Sequence, residues 1–283
     1  MRKPVLVADV GLNHEGDLAR ALRIVCLAKS CGVDYVKFQC RANIDACYTK
    51  EYLDRPKKTR FGTTVRDEKR GLEFGQREFE RIAAFCKEQG IGWFASPRGA
   101  DSVRFLQQFD PPYMKVASGS IPDEPMLAAI KDTGIPVILS TGMAYRSEIA
   151  RAVAMLSPRY ILHAVSLYPT PPKKIEMFRI RTLRNLFPGA NIGFSNHSVN
   201  IIYLIQAFLV GADMLEFHLT DDRDTGGADQ KASIGPTGLR RIVDHIGHIC
   251  EGFGTGIIEP DPEELVKGNH YAWRQSCARN TPA

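Results

Sequence analysis

Eight times along this chain a short apolar run gives way to a helix-like segment, and that repetition limits the possible folds more than any single residue does. The runs are Val5–Val10, Val33–Phe38, Ile91–Ala95, Tyr113–Ala117, Pro136–Ser140, Tyr160–Val165, Asn191–Phe194 and Asp213–Phe217. Continuous Val/Ile/Leu runs mark parallel strands buried on both faces. Helical spacing follows over Leu18–Cys31, Gln76–Gln89, Ala100–Phe109, Met126–Asp132, Ser147–Leu156, Lys174–Leu186, Ser198–Val210 and Thr237–Glu251. Asp17 stands where an N-cap belongs and Gly32 where the first helix must stop. A closed (β/α)8 TIM barrel takes about 250 residues. With 283 residues available, the expectation is an α/β chain folded as one such barrel over residues 1–283, in preference to an open doubly wound sheet.

Composition removes several function classes. A net charge of +5 is modest for this length, and no Lys/Arg run is interleaved with aromatics, which argues against nucleic acid as a partner. No apolar stretch approaches the ~20 residues that span a bilayer, and no signal peptide precedes the first strand, so the reading is a cytoplasmic protein with no membrane partner. The seven cysteines are scattered without a C-x-x-C pair. They read as reduced thiols, with Cys26 and Cys86 on apolar helix faces, and not as disulfides or a zinc site. No glycine-rich phosphate loop is present, so no nucleotide cofactor is expected.

Catalytic residues of a barrel collect where its strands end. Here those positions hold Asp9, Lys37, Gln39, Ser96, Lys115, Ser118, Ser140, Thr141, His163, Ser166, Tyr168, Ser195, His197, Glu216 and His218. If the last two strands are neighbours, His197 and His218 emerge at one rim, close enough to share a metal ion. Two lysines with several hydroxyls describe a site for a phosphate and a carboxylate. The basic stretch Cys40–Gly75 and the polar stretch Asp221–Ile234 are expected as loops over the same mouth. His245, His248 and His270 read as surface or packing residues. His163 reads as support behind the site, and His14 either orients Asp9 or stabilises its turn.

Taken in order, Ala8-Asp-Val-Gly-Leu-Asn-His-Glu-Gly16, Val36-Lys-Phe-Gln39, Lys115-Val-Ala-Ser-Gly119, Ser140-Thr-Gly-Met143, Tyr168-Pro-Thr-Pro171, Ser195-Asn-His197, Glu216-Phe-His-Leu-Thr220 and Asp229-Gln-Lys-Ala-Ser233 resemble the sialic acid (N-acetylneuraminate) synthase family over Val7 to about Ser276. That family condenses phosphoenolpyruvate with a sugar aldehyde to give a 2-keto-3-deoxy acid and phosphate. The resemblance implies that His197 and His218 hold a divalent metal, manganese with magnesium as the alternative. It places Lys37, Ser96, Ser118, Ser166 and Ser195 around the phosphate and Lys115 and Ser140 at the carboxylate. Gln39, Tyr168 and Asp229 would face the sugar, and Asp9, His197, His218 and Asp229 would form the catalytic set. Its partners would be phosphoenolpyruvate, a small aldehyde and a second copy in a homodimer.

Three departures fall on the acceptor side: Asp9 where the family has glutamate, Ser120 where it has an acid, and an end at Ala283 that leaves no antifreeze-like domain. They suggest an acceptor other than N-acetylmannosamine. Two other readings stay open, a metal-dependent aldolase or lyase acting on a 2-keto acid, and a barrel homologue without catalysis.

Overall fold

The computed structural model describes residues 2–227, 229–268 and 270–271. Cys277, the Arg274–Ser276 stretch and the end at Ala283 lie outside them. Eight parallel strands close into a barrel: β1 (Val5–Asp9), β2 (Tyr35–Cys40), β5 (Gly92–Pro97), β6 (Met114–Val116), β7 (Val137–Ser140), β8 (Tyr160–Ala164), β9 (Asn191–Asn196) and β10 (Met214–His218). Their order around the barrel is β1-β10-β9-β8-β7-β6-β5-β2, the (β/α)8 topology expected. An outer shell is formed by α1 (Leu18–Ser30), α5 (Gln76–Gln89), α6 (Ala100–Gln107), α7 (Glu124–Thr133), α8 (Arg146–Leu156), α9 (Arg179–Leu186), α10 (Ile202–Leu209) and α11 (Pro236–Gly252). A further helix, α12 (Pro262–Gly268), follows. Asp17 caps α1 by accepting from the Ala19 amide.

Side chains alternate across each strand, so one parity faces the helices and the other the barrel axis. On β1 and β10, Leu6, Ala8, Leu215 and Phe217 pack into the core beneath the helices. Their neighbours Val7 and Met214 turn inward, where they join Phe94, Ile138, Tyr160 and Leu162 in a separate cluster. That cluster plugs the barrel. The next inward positions, Asp9, Lys37, Lys115, Ser140, Ser195 and Glu216, are buried yet polar. Gly193 belongs to the same inward face, because a β-carbon there would come within 2.5 Å of both Leu162 Cδ2 and Met214 O.

Several sequence expectations need correction. The stretch from Cys40 to Gly75 is not a bare loop: it holds α2 (Ile44–Cys47), α3 (Lys50–Leu53), an antiparallel hairpin of β3 (Pro56–Thr59) and β4 (Gly62–Thr64), and α4 (Val65–Leu72). Four of its basic residues find acids inside the same stretch. Arg66 pairs with Asp45 and Asp54, Arg70 with Asp45, Lys57 with Glu68, and Arg41 with Glu73. A reciprocal cap between Thr64 and Asp67 starts α4.

The helix expected from Lys174 begins only at Arg179, after a 3-10 turn over Pro172–Lys174. The one expected from Ser198 begins at Ile202, because Asn196 and Asn200 side chains bond the intervening backbone and compete with helix. Cys86 is buried but Cys26 is exposed, not on the apolar face of its helix. Among the described residues no helix is long and apolar enough to cross a membrane.

The plug carries a stability test. Phe94 is fully buried within it, and truncating a core phenylalanine costs about 3–5 kcal/mol. Phe94→Ala is therefore expected to lower the urea midpoint sharply, while Phe178→Ala, at a site 70% exposed, moves it little; equal shifts would contradict the inward packing.

Candidate active site

The carboxyl ends of the strands enclose a cavity of about 310 Å³. Asp9, Lys37, Gln39, Ser96, Lys115, Ser118, Ser140, Ser166, Tyr168, Ser195, His197, His218 and Asp229 all line it. Strand register explains the convergence: Asp9 lies level with Lys37 on one side and His218 on the other, Gln39 with Ser96, and Glu216 with Ser195.

The floor is a buried network of charge. Lys37 Nζ lies 2.6 Å from Asp9 Oδ2 and 3.6 Å from Glu216 Oε1. Lys115 Nζ lies 3.4 Å from the same Glu216 oxygen and donates to Ser140 Oγ at 2.7 Å. Ser195 Oγ donates to Glu216 Oε1 at 3.0 Å. Burial opposes the charge on Lys37, but Asp9 and Glu216 outweigh it and hold the ammonium form well above the ordinary lysine range. Burial dominates at Lys115, with Glu216 only partly offsetting it, so its pKa falls to about 8. Glu216 also resists burial, but the two ammonium groups keep it ionised, at about 2. Asp9 Oδ1, Glu216 Oε2 and Ser96 Oγ are buried without a protein partner. They are the atoms a ligand or water would engage.

Beside this floor stand the two histidines on adjacent strands, their ring centroids 5.5 Å apart and tilted by 42°. His197 Nδ1 lies 2.8 Å from the Val165 carbonyl. That contact makes Nδ1 the protonated nitrogen and leaves Nε2 with a free lone pair. Burial, reinforced by His218, pulls His197 down to about 3, so it is neutral at pH 7. His218 lies between two acids, its Nε2 3.6 Å from Asp9 Oδ2 and its Nδ1 3.7 Å from Asp229 Oδ2. Asp229 reaches in from the loop after β10 and accepts from the Leu12 amide at 2.9 Å. Gly11 makes room for this contact, since its φ is +52° and a β-carbon would sit 2.6 Å from Asp229 Oδ2. Tyr168, next to a cis Tyr168-Pro169 bond, packs against the His197 ring with centroids 4.2 Å apart and the planes tilted by 40°.

Among the described residues no group of three or more His, Cys, Asp or Glu side chains is arranged to hold a metal ion. The pair does offer two adjacent imidazole rings lining a polar cavity, with the neutral His197 ring presenting its Nε2 lone pair. Such a site fits a divalent cation whose remaining positions are filled by substrate oxygens and water.

Some rim residues named from sequence lie elsewhere. His163 bonds the Ile175 carbonyl at 2.6 Å and packs against Phe194. Leu162 points inward, so parity sends His163 outward, into the helix layer and away from the site. Thr141 turns its hydroxyl to the Leu162 carbonyl. His14 accepts from the Gly16 amide and stacks on Phe74, so it stabilises the turn and does not orient Asp9. The cavity also takes in Arg41, Lys69 and Arg98, which sequence reading passed over. Arg41 and Lys69 lie in the stretch expected to be loop, and Arg98 lies two residues past Ser96 on the next inward position.

A sequence profile of the NeuB family matches residues 24–258. The N-acetylneuraminate-9-phosphate synthase of Homo sapiens is 32% identical over 267 residues, covering 92% of this chain and 74% of that protein. The N,N'-diacetyllegionaminic acid synthase of Campylobacter jejuni is 29% identical, covering 93% of this chain and 81% of its own length. The crystal structure of an N-acetylneuraminic acid synthetase from Leptospira borgpetersenii, in complex with citrate, superposes with a TM-score of 0.82 at 29% identity, covering 99% of this chain and 94% of that one. With the barrel, the polar floor and these relatives together, the chain belongs to the NeuB family.

Proposed function

We propose that the protein joins phosphoenolpyruvate to a sugar or sugar-like aldehyde, releasing phosphate and a 2-keto-3-deoxy acid. The observation that carries this reading is the placing of two buried lysines, a set of hydroxyls and a histidine pair around one cavity. Lys37, Ser96, Ser118, Ser166 and Ser195 would surround the phosphate, while Lys115 and Ser140, already bonded to each other, would take the carboxylate. Gln39, Tyr168 and Asp229 would face the acceptor. His197 and His218 would hold a divalent metal, manganese or magnesium, which when bound supplies Lewis acidity to the aldehyde oxygen.

Positioning does most of the remaining work. The electron pair of the enol C2–C3 bond forms the new bond from C3 to the aldehyde carbon, and the aldehyde oxygen takes a proton from solvent. Water adds to C2 and loses a proton. Asp9 Oδ1, which no protein donor occupies, is the oxygen assigned to accept it. The C2–O bond to phosphate then breaks as the new C2 hydroxyl gives its remaining proton to the departing phosphate, C2 becomes a ketone, and the acceptor has grown by three carbons.

Phosphate release from phosphoenolpyruvate, with manganese and a panel of aldehydes, is the direct test. At least one aldehyde is expected to support turnover; no release with any of them overturns the proposal. His197→Ala is expected to cost more than the about 10–100-fold that follows loss of a residue merely supporting a metal ligand.

A second expectation concerns pH. Lys115 is charged below about 8 and neutral above it, so raising pH removes a positive charge from the floor. The Kd for phosphoenolpyruvate should therefore rise above pH 8, approaching tenfold per unit if that charge is required. Lys115→Met should bind more weakly and lack this inflection. A wild-type Kd that is flat from pH 7 to 9.5 would contradict the assignment of Lys115 to the carboxylate.

A further inference from the structure

Resting on the reading above, we infer that the acceptor carries an anionic group, a phosphate ester or a carboxylate, and that Arg98 reads it. Arg98 follows β5, and Ser120 follows β6. Around the barrel these strands stand opposite β9 and β10, which bear His197 and His218. An acceptor whose aldehyde lies at the histidines therefore directs its far end toward Arg98.

Three observations make Arg98 a receptor and not a structural cation. Its Nη1 donates to Ser120 Oγ at 3.0 Å, its Nε is buried without a partner, and among the described residues it forms no ion pair. Its surroundings are themselves unfavourable to the charge: burial, then Arg41, push its pKa down. The contrast with Arg41 is direct. That guanidinium also lines the cavity, but it is fully engaged by Glu73, Tyr48 and Gln39. Lys69, over the Tyr48 ring at 5.8 Å, adds a second cation at the mouth.

Depth separates this group from the donor site. Gln39 and Ser96 are level with each other, and Arg98 lies one inward position further out, where its amide bonds the Cys40 carbonyl. Ser120 matters because of what it is not. A carboxylate at that position would neutralise the guanidinium, whereas a hydroxyl orients it and leaves its charge for a ligand.

Calorimetric titration with unreactive acceptor analogues tests this: a hexitol, its 6-phosphate and the corresponding 6-carboxylate. At least one anionic polyol is expected to bind ten times or more tighter than the neutral hexitol, and comparing the two distinguishes phosphate from carboxylate. Arg98→Met and Ser120→Glu should each abolish the preference by lowering anion affinity about tenfold, leaving hexitol affinity within about twofold. Equal binding of all three polyols by the wild type, or a preference that survives both variants, overturns the inference. So does an Arg98→Met variant that loses phosphoenolpyruvate affinity instead. Phosphoenolpyruvate is titrated separately into every variant: retained affinity shows an intact fold, and its absence from the wild type refutes the condensation while leaving the anion preference to be judged by itself.

Discussion

Two ammonium groups and two carboxylates enclosed at the end of a barrel that is otherwise packed with hydrocarbon form the constraint on which the site rests. Lys37, Lys115, Asp9 and Glu216 are all buried, and their formal charges cancel. Removing one partner of a buried ion pair leaves an uncompensated charge and costs about 3–5 kcal/mol. The four therefore act as one unit. Glu216 is the hinge of that unit, because its Oε1 serves both lysines and Ser195 at once. The division of labour follows: Lys37 is held firmly charged by two acids, while Lys115, with a share of one, titrates near neutrality.

Asp9, where the family resemblance puts glutamate, reads differently in this setting. Its shorter side chain still meets Lys37 at 2.6 Å, since β1 brings its Cα level with those of both Lys37 and His218. What the lost methylene removes is reach into the cavity. Asp9 Oδ1 is buried and unpartnered, so a molecule of water can span the gap. The shorter acid preserves the floor's charge balance, since it still pairs with Lys37.

Much of this was legible in the sequence because a barrel strand obeys a period of two. Once Val7 or Met214 is placed inward, Asp9, Glu216 and His218 must follow, and the apolar runs fixed the fold class for the same reason. The same rule, applied to β8, would have excluded His163, since Leu162 is the inward residue. Other features were hidden for physical reasons. The cap between Thr64 and Asp67 and the pairing of Arg66 with Asp45 and Asp54 depend on contacts a linear reading of net basic charge does not reveal. Arg98 was missed because its significance lies in a missing partner, which only coordinates display.

Floor and mouth thus use positive charge in opposite ways. At the floor, each cation already has an anion, and a ligand gains only the difference between its own contacts and those it displaces; in that low-dielectric interior dissolved salt has little influence. At the mouth, Arg98 and Lys69 hold charge that, among the described residues, no carboxylate pairs with, partly open to solvent and screened over about 8–10 Å at ordinary ionic strength. An incoming anion is attracted first by the mouth, where the interaction is long-ranged but salt-sensitive, and is positioned afterwards by the floor, where it is short-ranged and geometrically exact in its demands. Steering and orientation are assigned to different depths of the same barrel: Lys37 lies level with Phe94 on β5, and Arg98 stands four residues further toward the mouth.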